Sequence, residues 1–135
     1  MTLRELYTLL EDCARQIPDI RTCVENDITR LNEMREAKYG VFGITQNEHF
    51  SDISTMSFSL NLFYIDRLVN SQDNEVEIQS HAIEMLRQIV NIASERGCYY
   101  TDVRYNSFTE RFMDECAGAW AVVTFRFPIS DCVEY

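Results

Sequence analysis

Little in this sequence interrupts the chain. Two prolines and four glycines are scattered through 135 residues, so no low-complexity linker divides it, and no internal repeat is found. Long apolar runs are missing too. The longest, "AWAVV" at 119–123, falls far short of the ~20 residues a membrane-spanning helix needs. The opening "MTLRELYTLLEDC" has acids inside its apolar pattern and no small-residue cleavage site, so it reads as a helix rather than an export signal. The five cysteines (13, 23, 98, 116 and 132) include no CxxC pair, and neither His49 nor His81 has a cysteine at ligand spacing. They read as small apolar fillers in a reducing, cytoplasm-like setting, with no zinc site expected.

Positive charge is scarce. Twelve Lys plus Arg stand against 22 Asp plus Glu, a net charge of −10. Nucleic-acid and anionic-membrane surfaces are built from clustered Lys and Arg, so neither sequence-specific DNA binding nor membrane attachment is expected. An acidic wall repels DNA, which suits a channel that DNA passes through better than a grip. Motifs for chemistry are also absent: there is no phosphate-cradling glycine loop, nucleophile elbow, HExxH or DxDxDG loop. Cys116 with His49 or His81 can be combined on paper into a nucleophile pair, but no local signature supports it. No catalysis, cofactor or metal is expected.

What remains is an ordinary globular composition, 46% hydrophobic and 25% charged, of a size for one domain, 1–135, with a real core. Leu3, Leu6, Leu10, Cys13, Ala14 and Ile17 form a helical stripe; Thr2 with Glu5 makes a capping box, and Pro18 stops the helix. A short helix is expected near 26–35. "KYGVFGITQ", 38–46, reads as a strand and "NEHFSDIST", 47–55, as a turn-like link. In "MSFSLNLFYID" the pattern has period two: Met56, Phe58, Leu60, Leu62 and Tyr64 share one face. The other face turns apolar at Phe63, so something covers it there. "NSQDN", 70–74, is a loop, with Asn74 and Glu77 as cap and box partner of a long helix. Ile78, Ala82, Met85, Leu86, Ile89 and Ala93 are that helix's buried stripe, and Gly97 stops it. Residues 99–115 read as a strand of poor alternation, "CAG" as its turn, and 119–127 as a final strand ended by Pro128. The fold class is α+β: an antiparallel or mixed sheet of about four strands, with the N-terminal helix and the long central helix packed on one face.

Two charged clusters stand out. Asp66 and Arg67 end the apolar strand, and Asp66 continues its apolar face. A carboxylate there must sit at the sheet rim or be paired, because an isolated buried charge is very costly. A rim salt bridge or a loop-fixing hydrogen bond would serve, and so would a contact to a neighbouring subunit. Arg111 and Asp114, within "FTERFMDECAG", mark a solvated strand edge or a second subunit contact. His81 reads as a surface hydrogen-bonding residue of the long helix. Trp120, Phe125 and Phe127 read as core or interface rather than a base-stacking platform.

The strings "YIDRL" (64–68), "EIQS" (77–80) and "RFMDECAG" (111–118) carry a resemblance that covers roughly residues 20–128. The chain resembles small neck or tail structural proteins, of the tail-terminator or tail-completion ring type, from crAss-like phages of Bacteroidales and related prophages. The resemblance implies a virion component, assembled in the host cytoplasm, that forms a six- or twelve-fold ring with itself and meets other connector or tail proteins. Ring formation needs a head-to-tail interface that closes, and Asp66, Arg67, Arg111 and Asp114 are its candidate contacts. The alternative is an acidic binding module, a regulator, inhibitor or DNA mimic acting as monomer or dimer. A mimic concentrates its carboxylates on one face, whereas here Asp and Glu are spread over helices, loops and termini.

Overall fold

The computed structural model describes residues 1–25, 40–67, 75–111 and 115–129, the side chains of 110, 111 and 115 excepted. Helix α1 spans Leu3–Arg15. The Thr2 hydroxyl accepts from the Glu5 N–H while the Glu5 carboxylate accepts from the Thr2 N–H, both at 3.1 Å, so the expected capping box is formed. Strand β1 (Thr22–Glu25) follows, then β2 (Val41–Gln46), the two-residue β3 (Phe50–Ser51) and the long β4 (Thr55–Arg67). Helix α2 spans Glu75–Glu95, and β5 (Tyr99–Arg111) and β6 (Glu115–Pro128) close the chain order. Gly97, at φ 92°, takes the left-handed turn after α2 that its place in the sequence predicts.

The strands form one mixed sheet in the order β1-β2-β4-β6-β5, with β3 paired to β4. β1 runs parallel to β2; the other pairs are antiparallel. The α+β class is as expected, but the described residues form six strands rather than about four. The two that were missed have four and two residues, too few to show an alternation.

One face of the sheet carries the main core. Phe42, Ile44, Leu60, Leu62, Tyr64, Ala119, Ala121, Val123 and Phe125 join the buried stripes of α1 (Leu6, Leu10, Cys13, Ala14) and α2 (Ala82, Leu86, Ile89, Ala93). α2 crosses β6 and β4, and the small side chains of Ala119 and Ala121 leave room for it. The α2 stripe is as read from the sequence, except that Val90 joins the buried set and Ile78 is only half-buried. On the opposite face Val24, Val41, Phe63 and Ile65 form a second cluster, with Phe108 and Cys116 against it. Phe63 is 3% exposed, as the apolar turn of that strand face required. Its ring lies on Gly43, where a Cβ would fall 2.0 Å from the ring. Trp120 lies on this face, part exposed, with its ring 5.5 Å from that of Phe108, while Phe125 and Phe127 are core.

The expected turn at "CAG" is corrected: Cys116, Ala117 and Gly118 lie inside β6, paired with β4 through Arg67↔Cys116 and Ile65↔Gly118. Gly118 is there for a close approach, since a Cβ would stand 1.9 Å from the Tyr64 backbone oxygen. β5 carries a register shift between Tyr100 and Val103 and pairs regularly with β6 from Val103 to Arg111. The expected helix near 26–35 and the loop at 70–74 with Asn74 lie outside the described residues.

Candidate functional site

Asp66 follows Tyr64 on the helix-covered face of β4, at the strand's end. Its carboxylate takes two local donors. Oδ1 accepts the Arg67 N–H at 2.8 Å, and the Tyr64 hydroxyl also hydrogen-bonds Asp66. Both donors belong to β4 itself, and the loop that Asp66 was expected to fix, before the long helix, lies outside the described residues. Burial, then the charges of Asp66 and Asp19, push the Tyr64 phenol well above its ordinary value, so it remains a neutral donor.

The loop after α1 brings further charge to the same place. Ile20 N–H bonds back to Ile17 at 3.1 Å across a turn that contains Pro18. Gly40, at φ 72°, then accepts from the Arg21 N–H at 2.8 Å and the Thr22 N–H at 3.3 Å. A Cβ on Gly40 would stand 2.1 Å from the Asp19 carbonyl oxygen, so only glycine lets the loop pass so close. Asp19 is thereby held against α2, where its Oδ2 lies 2.8 Å from His81 Nε2. The Tyr64 ring stands edge-on to that imidazole, centroids 5.7 Å apart.

These groups line a cleft of about 500 Å³ at one end of the sheet, walled by Pro18, Asp19, Arg21, Tyr64, Asp66, Arg67 and His81. Both charge signs face it. Of the four residues singled out in the sequence, Asp66 and Arg67 line the cleft. Arg111 lies at the same end of the sheet by register, since Arg67 and Glu110 both pair with Cys116 and Arg111 pairs with Glu115. Asp114 lies outside the described residues. Sequence reasoning found His81's surface hydrogen bond but not its partner. Asp19, Arg21 and Tyr64 were not singled out either, because nothing local in the sequence ties the loop after α1 to the end of β4.

A histidine oriented by a carboxylate is the form of a general base. The described side chains around this one include no Ser, Thr or Cys hydroxyl or thiol for it to activate. Among the described residues no group of three or more His, Cys, Asp and Glu could hold a metal ion. Cys13 and Cys98 are fully buried fillers, and burial pushes both thiols up. No described helix is long and apolar enough to cross a membrane. What the cleft offers is paired charge for recognition. A guanidinium or carboxylate entering it meets an opposite partner on a fixed backbone, an arrangement that selects orientation and partner more than raw affinity. No protein-family model matches the chain, and comparison with curated proteins finds no match.

Proposed function

We propose that the protein is a structural, non-catalytic ring component of a bacteriophage neck or tail, tail-terminator-like, which assembles with copies of itself around a channel for DNA. The observation that carries this reading is the rim cleft. Asp66 and Arg67, chosen from the sequence as subunit contacts, open there beside Asp19, Arg21 and His81 at one end of the sheet. A closing ring needs a heterologous contact of fixed register, and a bipolar charged socket on a rigid sheet end suits that task. The net charge of −10 suits a lumen that DNA slides through without sticking. The resemblance in "YIDRL", "EIQS" and "RFMDECAG" supports the virion setting.

Sedimentation of the wild type beside Asp66→Ala and Arg111→Ala tests the reading. Each variant is expected to shift from assembled to smaller species while its circular dichroism and unfolding midpoint stay near wild type. If both variants assemble as the wild type does, the rim is not the interface. The acidic-module alternative predicts a wild type that is monomeric or dimeric, with the same substitutions leaving that state unchanged.

A further inference from the structure

The sheet face turned away from α1 and α2 is buried only in part. Val41, Phe63 and Ile65, toward the rim cleft, are buried. Toward β3 the same face is open. Cross-strand pairing lays Phe50, Ser57, Arg126 and Tyr99 in one row over β3, β4, β6 and β5, and Asn61, Val122 and Arg104 in another. Alternation along β6 puts Trp120, Val122 and Arg126 on this face together. Ser59, Asn61, Val122 and Thr124 make a half-buried floor, around which Tyr99 is 70% exposed, Phe50 53% and Trp120 37%.

The charge of this patch is unlike that of the chain. Arg104 and Arg126 are exposed and meet no ion-pair or hydrogen-bond partner among the described residues, whereas Arg4, Arg15 and Arg87 each hold a carboxylate at 2.6–3.3 Å. Among the described side chains of β5 and β6 the one carboxylate is Asp102, in the β5 bulge, and it bonds neither guanidinium. In a chain of net charge −10, two free guanidinium groups beside exposed aromatics form a surface for a carboxylate-bearing partner.

The other side of the molecule carries that chemistry. Glu77, Ser80, Glu84, Arg87, Asn91 and Glu95 recur at three- and four-residue steps along the outer side of α2, three carboxylates to one guanidinium, and that guanidinium is already held by Glu84. Glu84 and Glu95 stand almost directly one above the other on the helix, roughly 16 Å apart. Arg104 and Arg126 stand roughly 14 Å apart, by the rise along β6 and the spacing between strands. A carboxylate that holds one guanidinium keeps acceptor sites for a second.

We propose that the open half-face receives the outer side of α2 from a second copy of the chain, with Arg104 and Arg126 meeting Glu84 and Glu95 of that copy and the exposed aromatics covered. The inference rests on the self-assembly proposed above and adds a second surface to its interface. Helix on sheet is how the chain builds its own core. The two surfaces lie on opposite sides of one sheet, so the contact is head-to-tail and passes from copy to copy until a ring closes.

Trp120 is the chain's single tryptophan and reports on this face. Native mass and tryptophan emission, followed over a concentration series, test the contact in wild type, Arg104→Glu with Arg126→Glu, Glu84→Lys with Glu95→Lys, and all four substitutions together. Circular dichroism checks that each variant is folded. Wild-type emission is expected to move to shorter wavelength as the mass rises. Each paired reversal is expected to raise the concentration needed for assembly by about 100-fold or more, and the four-fold reversal, which keeps the net charge at −10, to restore it to within about 10-fold. Paired reversals that assemble like wild type, or a mass that rises with unchanged emission, would overturn the contact and leave the rim reading standing. A four-fold reversal that fails to recover would show that α2 is not the occupant. A wild type that is monomeric at every concentration would end both this contact and the ring. Oligo-dT that shifts the emission of such a monomer would give the face to nucleic acid instead.

Discussion

Asp52 shows how much one exposed side chain can organise. Its Oδ1 accepts from the Ser54 and Thr55 N–H groups at 2.8 and 2.7 Å and from their hydroxyls at 3.3 and 2.9 Å. Those bonds, led by the Ser54 N–H, pull its carboxyl down to about 2. They fix the turn that presents Ile53, 94% exposed, at the tip of the β3–β4 hairpin. The native carboxyl thus binds its proton more weakly than the unfolded one. The stability it lends is present above the ordinary value of 3.8 and lost as pH falls toward 2. Comparing unfolding midpoints of wild type and Asp52→Asn from pH 5 to pH 2 should show a wild-type advantage that shrinks with acidity. An advantage that stays constant would mean the turn does not depend on the charge. Thr2→Ala is a second test at this scale: loss of the capping hydroxyl is expected to cost about 1 kcal/mol in urea unfolding.

At the scale of elements, the parts legible in the sequence are those whose burial repeats along the chain. α1, β4 and α2 carry complete apolar periodicities, and their capping box, face assignment and glycine stop are all found where the pattern placed them. The edge strand β1 was not legible because its pairing is parallel and non-local and its four residues bury little. The "CAG" segment misled for a different reason. A glycine between two strands reads as a turn, whereas Gly118 serves the close approach of β6 to β4. Gly118→Ala therefore drives a methyl group into the Tyr64 carbonyl and is expected to destabilise by at least 1–3 kcal/mol, the usual overpacking range. Chemical denaturation measures it, and a change under 0.5 kcal/mol would show that the strands part easily. The cleft was half legible. Asp66 and Arg67 announce themselves by ending an apolar strand, but Asp19 and His81 meet only because Gly40 lets the loop after α1 pass close by.

For the whole molecule, the sheet puts unlike tasks at separate places. The main core lies between the sheet and helices α1 and α2, the charged cleft opens at one sheet end, and the Arg4–Glu25 ion pair joins α1 to the β1 edge. A chain with a net charge of −10 resists indiscriminate association with its own copies, so the proposed ring would have to rest on a few contacts of opposite sign. The cleft supplies both signs. The native mass of the purified protein, by light scattering over a concentration series, bears most directly on the ring. The account predicts one closed species of six or twelve chains, each of 15.9 kDa. A monomer or dimer at every concentration would contradict it.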